Sequence, residues 1–265
     1  VLLLDIFHIL AKPGEFPYMV ALGYSIGEDK SRDIEYYCGG TLVSERHVLT
    51  AAHCTSNPLE QHPIEVMIGA TDRDNSIRTE EIQRISISRI IIHPQFQKKY
   101  RYFDIAILEL KEPIKLTIFV QPACLMTEPL TNETKGVNSS LVVLGWSKNE
   151  VDKITPAKLL KAGRQKFVST SECSKSYDQK RPSSIPNGLD DGMICVAKSD
   201  DDVEEDACSG VSGAPILIPS TNYGFLVAGF PSFGYLCNAN LPTVAISVYK
   251  YLDWIENQVW STKTL

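Results

Sequence analysis

Three side chains in this sequence have the chemical types needed to turn a hydroxyl group into a nucleophile. Ser212 offers the hydroxyl, His53 an imidazole and Asp104 a carboxylate. A hydroxyl is a poor nucleophile unless a base removes its proton, and an imidazole base needs a buried carboxylate to fix its tautomer and stabilise its cationic form. Each residue taken singly has an ordinary structural explanation, so the prediction rests on the three together.

The fold must bring these residues together, and the sequence around them consists of short apolar runs separated by turn residues. The runs span residues 18–24, 40–43, 47–50, 65–68, 82–92, 105–110, 141–144, 214–218, 225–230 and 243–248. Many short strands with turns between them indicate an all-β barrel or sandwich. An α/β fold needs helical patterns of ten or more residues between strands, which this chain mostly lacks.

One segment clearly predicts a helix. In residues 249–260, Leu252, Ile255 and Val259 recur at three- and four-residue spacing, which is typical of a helix with one apolar face. A Pro-containing stretch at 118–129 separates two halves of similar length and texture. The sequence therefore predicts two β units joined by a connector and followed by a C-terminal helix.

Composition excludes several classes of function. The chain has 265 residues, is 43% hydrophobic and carries a net charge of −6, so it can bury a large core but lacks the basic patch that nucleic-acid binding needs. Residues 1–10 are mostly apolar but too short to span a bilayer, and they contain Asp5 and His8. A signal-peptide remnant, a prosegment tail and an edge strand all remain open for them. No membrane partner is expected.

The cysteines indicate an oxidising compartment. Seven cysteines occur at wide, irregular spacings without a CxxC pair, which favours disulfides over a zinc or redox site. Acceptor sequons for N-glycosylation at Asn132 and Asn138 agree with this compartment. We therefore expect a secreted, extracellular glycoprotein.

Several segments together resemble the chymotrypsin family of trypsin-like serine proteases. They are GEFPYMVALG at 14–23, CGGTLVSERHVLTAAHC at 38–54, the HP pair at 93–94, FDIAILEL at 103–110, LGW at 144–146, CSGVSGAP at 208–215 and YLDWI at 251–255. The order His, Asp, Ser is that of chymotrypsin, whereas α/β-hydrolases and subtilisins use other orders. The resemblance implies an all-β fold of two antiparallel six-stranded β-barrels packed together, with a C-terminal α-helix. It also implies one peptidase domain over residues 1–265, with sub-barrels at about 11–117 and 130–248 and the helix at 249–260.

The resemblance also implies roles for the candidate residues. Ser212 would attack the scissile carbonyl, His53 would act as general base and then acid, and Asp104 would orient the imidazole. The backbone N–H groups of Gly210 and Ser212 would form the oxyanion hole, and Ser232 would hydrogen-bond the triad aspartate. The implied function is a secreted serine endopeptidase that needs no cofactor, acts on protein or peptide substrates and is open to serpin-type or other protease inhibitors.

Disulfide pairing follows from the same resemblance. The implied pairs are Cys38 with Cys54, Cys173 with Cys195 and Cys208 with Cys237. Cys124 is left over. Two interpretations stay open for it: a disulfide to an N-terminal prosegment, or a buried free thiol.

The specificity pocket is ambiguous. Asp206 stands six residues before Ser212, where trypsin-type enzymes place the carboxylate that selects Arg or Lys at P1, the substrate residue before the scissile bond. The alternative is that Asp206 only ends the acidic run at 200–206, as part of a solvated loop.

The predicted pocket walls also depart from the family. The segment with Ser232, Phe233 and Gly234 is expected to line the substrate site, but Phe233 replaces the usual tryptophan and Ala245 the usual tyrosine. Thr243 stands where a pocket-lining glycine is usual, and its side chain would narrow the slot. A smaller P1 residue is therefore a second possibility.

The nucleophile segment carries the largest departure. The family has CxGDSGGP there, but this chain has Val211 for the aspartate and Ala214 for a glycine. In the family, that aspartate pairs with the ammonium of an IVGG-like terminus exposed by cleavage. Counting back from Gly14, the new terminus would fall at Asp5, and no Lys or Arg precedes Lys12.

The two losses agree with each other. Losing one partner of a buried ion pair costs about 3–5 kcal/mol, whereas joint loss strands no charge. We therefore expect a chain that does not use cleavage activation. This departure raises the alternative of a catalytically impaired serine protease homologue that acts as a binding or cofactor protein in an extracellular proteolytic cascade.

No metal is expected. In the family's calcium loop a carboxylate commonly follows the glycine equivalent to Gly69, but Ala70 does so here. Oxygen ligands nearby are Asp72, Asp74, Glu80 and Glu81.

Overall fold

A computed structural model describes residues 11–25, 34–56, 60–71, 81–131, 134, 141–146, 159–178, 182–198, 212–234 and 241–261. The first β unit is an antiparallel closed barrel with the strand order β1-β2-β3-β6-β5-β4. Its strands are β1 Met19–Ser25, β2 Ile34–Ser44, β3 His47–Thr50, β4 Pro63–Ile68, β5 Gln83–Ile92 and β6 Ala106–Leu110. All seven residues of β1 are buried, because both faces of this strand are covered.

The second unit is a seven-stranded sheet with the order β11-β8-β9-β10-β13-β12-β7, and an additional β11–β12 pairing closes six of its strands into a barrel. Its strands are β7 Cys124–Leu125, β8 Leu141–Trp146, β9 Leu159–Val168, β10 Met193–Lys198, β11 Ile216–Ser220, β12 Gly224–Phe233 and β13 Thr243–Ser247. The short β7 joins β12 in parallel. The prediction of two six-stranded antiparallel barrels is confirmed.

Helices are few and short in the described part of the chain. The predicted C-terminal helix is confirmed: it opens with a 3-10 turn, Tyr249–Tyr251, and continues as α2, Leu252–Val259. A second helix, α1, spans Thr170–Asp178 and was not predicted from the sequence. Cys173 and Tyr177 are its buried residues, and the other residues of this short helix are polar. Its sequence therefore shows no clear apolar face.

The largest core cluster draws on both barrels. It contains Leu22 and Leu49 from the first barrel together with Trp146 and Phe230 from the second. Burial of apolar surface therefore holds the two units against each other, and the junction between them is where the candidate site lies. Across the described ranges, no helix has the length and apolar character needed to cross a membrane.

Candidate active site

His53 lies in a 3-10 helix, Ala52–Thr55, directly after β3. A disulfide joins the next residue, Cys54, to Cys38 in β2. The Tyr24 hydroxyl of β1 donates a hydrogen bond to the Cys54 carbonyl. Two neighbouring strands therefore fix the backbone that carries the imidazole.

Asp104 precedes β6, and the turn that presents it is held by aromatic packing. Phe103 has a φ of 55°, a left-handed conformation that is uncommon for a bulky residue. Its ring stacks on His93, with the ring centroids 5.0 Å apart and an interplanar angle of 12°. His93 N–H also donates to the Ile105 carbonyl at 3.1 Å. These contacts maintain the strained turn beside the carboxylate.

His53 and Asp104 are joined at both carboxylate oxygens. His53 Nδ1 lies 2.8 Å from Asp104 Oδ2, and the His53 backbone N–H donates to Asp104 Oδ1 at 2.7 Å. The Asp104 side chain is fully buried and the His53 side chain is 20% exposed. With Nδ1 donating to the carboxylate, Nε2 is the nitrogen available as a base.

Two further groups meet the Asp104 carboxylate. The Ser232 hydroxyl donates to Oδ2, and the Arg101 guanidinium lies 3.5 Å from the same oxygen. Burial on its own raises the pKa of Asp104, but His53, Ser232 and Arg101 outweigh it and hold this pKa below its usual value. The carboxylate is therefore ionised at neutral pH.

Sequence reasoning missed Arg101. No motif marks it, and its signal is only its place three residues before Asp104. Ser232, by contrast, was expected at the triad aspartate, and the structure places it there.

Ser212 reaches the site from the second barrel. Its carbonyl accepts a hydrogen bond from Gly39 N–H in β2 at 2.8 Å, and Gly213 N–H donates to the Pro231 carbonyl at 3.4 Å. Gly39 is the neighbour of Cys38, whose disulfide partner adjoins His53. The structure thus brings the Ser212 backbone to the same junction as the imidazole.

Gly213 is required where the two barrels meet. Its φ is 73°, and a Cβ there would collide with Thr50 Oγ1 and the Gly39 carbonyl. Ala214 is fully buried, and a Cβ at Gly39 would come within 2.7 Å of the Ala214 methyl. The space left by Gly39 therefore accommodates the alanine that replaces the family glycine.

The candidate pocket wall is formed by β12 and β13. Thr243 is buried at 3% exposure, and Gly234, at a φ of 122°, lies so close that a Cβ would come within 2.8 Å of Thr243 Cα. Phe233 packs edge-on against Tyr177 of α1, with ring centroids 6.0 Å apart. The Tyr177 hydroxyl donates to the Pro242 carbonyl at 2.5 Å. The helix that sequence reasoning missed therefore supports this wall.

Several predicted features lie outside the described residues. They are Asp206, Gly210, Val211, the Cys208–Cys237 disulfide, the sequons at Asn132 and Asn138, residues 1–10, and the possible calcium ligands Asp72, Asp74 and Glu80.

The described cysteines form two of the three expected disulfides. Cys38–Cys54 and Cys173–Cys195 are both present. Cys124 is a free, exposed cysteine, so the alternative of a buried free thiol is wrong. Ligand atoms of Cys38, His53 and Cys54 lie within 4.8 Å of one another, but both sulfurs are joined in the disulfide and cannot act as thiolate ligands.

Comparisons with known proteins identify a family and several relatives of this chain. Residues 6–255 match the family described as Trypsin. The chain is 36% identical over 247 residues to Serine protease snk of Drosophila melanogaster. The matched region covers 92% of this chain and 54% of that protein. It is 34% identical over 260 residues to Phenoloxidase-activating enzyme 1 of Spodoptera litura, covering 94% and 65%, respectively. It is also 28% identical over 255 residues to the Clotting factor G beta subunit of Tachypleus tridentatus, covering 93% and 77%. The chain thus spans between about half and three-quarters of the length of these relatives.

Proposed function

Because this chain belongs to the trypsin family of serine proteases, we propose that it is a secreted serine endopeptidase with His53, Asp104 and Ser212 as its catalytic triad. The observation that carries the proposal is the doubly hydrogen-bonded pair of His53 with the buried Asp104. Ser212 is anchored to the strand beside them. The pair of His53 with Asp104 and the backbone of Ser212 lie at one junction, which supports the proposal.

The reaction proceeds through an acyl-enzyme. Ser212 Oγ bonds to the scissile carbonyl carbon while its proton passes to His53 Nε2. The C–N bond then breaks, and His53 returns the proton to the departing amine. Water attacks the acyl group in the same way, with His53 as base, and releases Ser212. Asp104 stays ionised throughout, because its pKa is held low by the groups around it.

The developing oxyanion would be stabilised by the backbone N–H groups of Gly210 and Ser212. Each preorganised donor of this kind lowers the activation free energy by about 2.7–4 kcal/mol. The Gly39 N–H holds the Ser212 carbonyl and so restrains the residue that carries one of these two N–H groups.

We propose that two features set the specificity for the P1 residue. One is a carboxylate at the bottom of the substrate pocket, and the other is a narrowed pocket wall. Asp206 would select Arg or Lys at P1, whereas Thr243 occupies space that a pocket-lining glycine would leave open. The buried side chain of Thr243, with Gly234 close to its backbone, supports a slot that favours slender side chains.

The substrate is proposed to be a protein in an extracellular proteolytic cascade. One relative is named as phenoloxidase-activating and another as a clotting factor subunit. The exposed thiol of Cys124 is accessible for a disulfide to an N-terminal prosegment, and serpin-type or other protease inhibitors would block the same cleft as the substrate.

A second candidate is a catalytically impaired homologue that acts as a binding or cofactor protein in such a cascade. The observation that favours it is Val211, which removes the aspartate that family members use to order the nucleophile segment. Under this hypothesis the protein keeps the hydrogen-bonded pair of His53 and Asp104 but lacks a working oxyanion hole.

Peptide turnover separates the two candidates. The purified protein is incubated with a mixture of peptides, together with Ser212→Ala and, as a matched control, Ser171→Ala on the exposed start of α1. The proposal expects turnover by the unchanged protein and by the control, and its loss in Ser212→Ala. Absence of turnover in the unchanged protein would favour the homologue.

A further inference from the structure

A cavity of about 290 Å³ lies on the flank of the segment that leads to Asp104. The triad candidates do not line it. The lining residues are Gln95, Gln97, Tyr100, Tyr102, Phe103, Asn187, Gly188 and Asp190. The cavity therefore joins the segment before β6 to the segment before β10.

Its aromatic wall is held in place. The Tyr100 and Tyr102 ring centroids lie 6.5 Å apart with an interplanar angle of 46°. The Tyr102 hydroxyl donates to the Gly188 carbonyl at 2.8 Å and accepts from Asn187 N–H at 3.0 Å. The ring of Tyr102 is thus fixed across the cavity, with its polar end already hydrogen-bonded.

Asp190 supplies the formal charge among the lining residues. It is half-buried, and its Oδ1 accepts a hydrogen bond from Gly192 N–H at 3.0 Å. Burial raises the pKa of its carboxyl, and Asp191 adds to this effect, whereas the Gly192 N–H and the charge of Lys250 offset part of it. A partly desolvated carboxylate of this kind is stabilised when a cation pairs with it.

The cations near this cavity are engaged elsewhere. Lys250 pairs with Asp191, Lys98 with Glu60 and Arg101 with Asp104. Lys99 Nζ lies 5.5 Å from the centroid of the Tyr100 ring. Within the described ranges, no cationic group lies within 4.0 Å of the Asp190 carboxylate.

We propose that this cavity is an exosite that binds one arginine side chain of a protein partner. The guanidinium would pair with the Asp190 carboxylate and lay its plane against the tyrosine rings, where cation–π contact is favourable. The side-chain amide oxygens of Gln95, Gln97 and Asn187 are acceptors for the remaining N–H groups.

Arginine fits this chemistry better than lysine. Its guanidinium is planar, stacks on aromatic faces and is more weakly hydrated than an ammonium, so less is lost on entering a partly buried site. The proposal does not depend on Ser212 being an active nucleophile, because none of the lining residues belongs to the triad.

The test is a solution NMR titration of the full chain, labelled with ¹⁵N, with N-acetyl-arginine-N-methylamide. The neutral, nearly isosteric citrulline analogue is titrated in parallel. Resonances of Tyr100, Gly188 and Asp190 report the cavity, whereas those of Ser212 and Gly234 report binding in the candidate substrate site. We expect saturable shifts of the cavity resonances with the arginine compound and none with the citrulline compound.

Neighbouring aspartates give a matched pair of variants. Asp190→Asn keeps the acceptor for Gly192 N–H but removes the charge, and we expect affinity at the cavity to fall at least tenfold. Asp191→Asn removes an exposed carboxylate that is paired with Lys250. The released Lys250 then competes with the arginine compound for Asp190, so affinity should fall, but less than in Asp190→Asn. Tyr100→Leu, which removes one aromatic face, should weaken binding a few-fold.

Three results would each overturn the proposal. They are cavity resonances that do not shift, equal binding by the citrulline compound, and unchanged affinity in Asp190→Asn. Shifts confined to the resonances of Ser212 and Gly234 would assign the arginine to the substrate site instead.

Discussion

The two barrels supply the site in different ways. From the first barrel come His53 and Asp104, joined by two hydrogen bonds and supported by a disulfide and a stacked aromatic turn. From the second comes Ser212, anchored through its backbone carbonyl to Gly39. The base and its carboxylate are held mostly by contacts within the first barrel, and Ser232 of the second barrel adds one hydrogen bond to Asp104. The position of the nucleophile depends instead on how the second barrel docks on the first.

The departures from the family in the nucleophile segment and the pocket lie in the second half of the sequence. Val211 and Ala214 precede β11 in the sequence, and Thr243 begins β13, whereas the TAAHC and FDIAILEL segments of the first barrel are retained. The residues proposed to transfer protons are thus kept, and the changes fall on the nucleophile segment and the proposed pocket. Four substitutions test this contrast.

Asp104→Asn addresses the first barrel and should have the largest effect. An amide would disturb the tautomer of His53, and kcat for peptide hydrolysis should fall about 10⁴-fold, as it does for the same change in a well-studied member of the family. Steady-state kinetics measure it. Asp191→Asn, at an exposed carboxylate, should leave kcat unchanged. If kcat falls less than tenfold in Asp104→Asn, the His53–Asp104 pair of the first barrel does not determine the rate of peptide hydrolysis.

Gly213→Ala addresses the docking of the two barrels. The left-handed φ and the collision with Thr50 and Gly39 should together lower the free energy of unfolding by about 2–5 kcal/mol. Gly224→Ala is the matched control, because its φ is 71° but nothing lies within 4 Å of the added Cβ. It should cost about 1–2 kcal/mol. Urea unfolding of both variants measures the difference in the free energy of unfolding. Equal losses in the two variants would show that the close approach at Gly213 does not contribute to stability.

Thr243→Ala addresses the pocket wall. Removing the hydroxyl and one methyl group should widen the slot and raise kcat/KM for substrates with Arg at P1 about tenfold. Ser247→Ala, at the other end of β13 and also buried, is the control and should not change the P1 preference. A Thr243→Ala protein with the original preference would indicate that this side chain does not face the substrate.

Arg101→Met should have the smallest effect. The guanidinium is 30% exposed, so its contribution to unfolding free energy at pH 7 should stay below about 1 kcal/mol. Because the folded-state pKa of Asp104 lies below its usual value, this contribution is present above about pH 3.9 and is lost as the pH falls through the folded-state pKa. Unfolding measured at pH 7 and below pH 4 should show the difference between the two proteins shrinking. A difference that persists in acid would contradict the pairing with Asp104.

Much of the fold could be predicted from short apolar runs. The run at 47–50 coincides with β3, and those at 82–92 and 243–248 differ from β5 and β13 by one residue. Neither β9 nor β10 was predicted. The segment around Lys161 and Arg164 carries charges, whereas β10 begins with the short apolar run MICVA, a signal like those of the predicted strands that the prediction did not use. The two-residue β7 is too short to leave any pattern, since tertiary pairing with β12 defines it.

The candidate site was predictable to the extent that motifs mark it. Recognisable segments of the family contain His53, Asp104, Ser212 and Ser232. Candidate roles for these residues could therefore be inferred from the sequence. Arg101 and the aromatic support of the Asp104 turn could not be predicted, because side-chain packing between distant segments determines them. The exposure of Cys124 is of the same kind, since it follows from the position of β7 on the surface.

The most direct measurement of the central claim is labelling by a fluorophosphonate probe, followed by peptide mass spectrometry. A hydroxyl activated by the pair of His53 and Asp104 should attack the probe, so the account predicts a single modification, on Ser212, that is lost in Ser212→Ala and strongly slowed in Asp104→Asn. No labelling of Ser212 under conditions that fully label trypsin would contradict it.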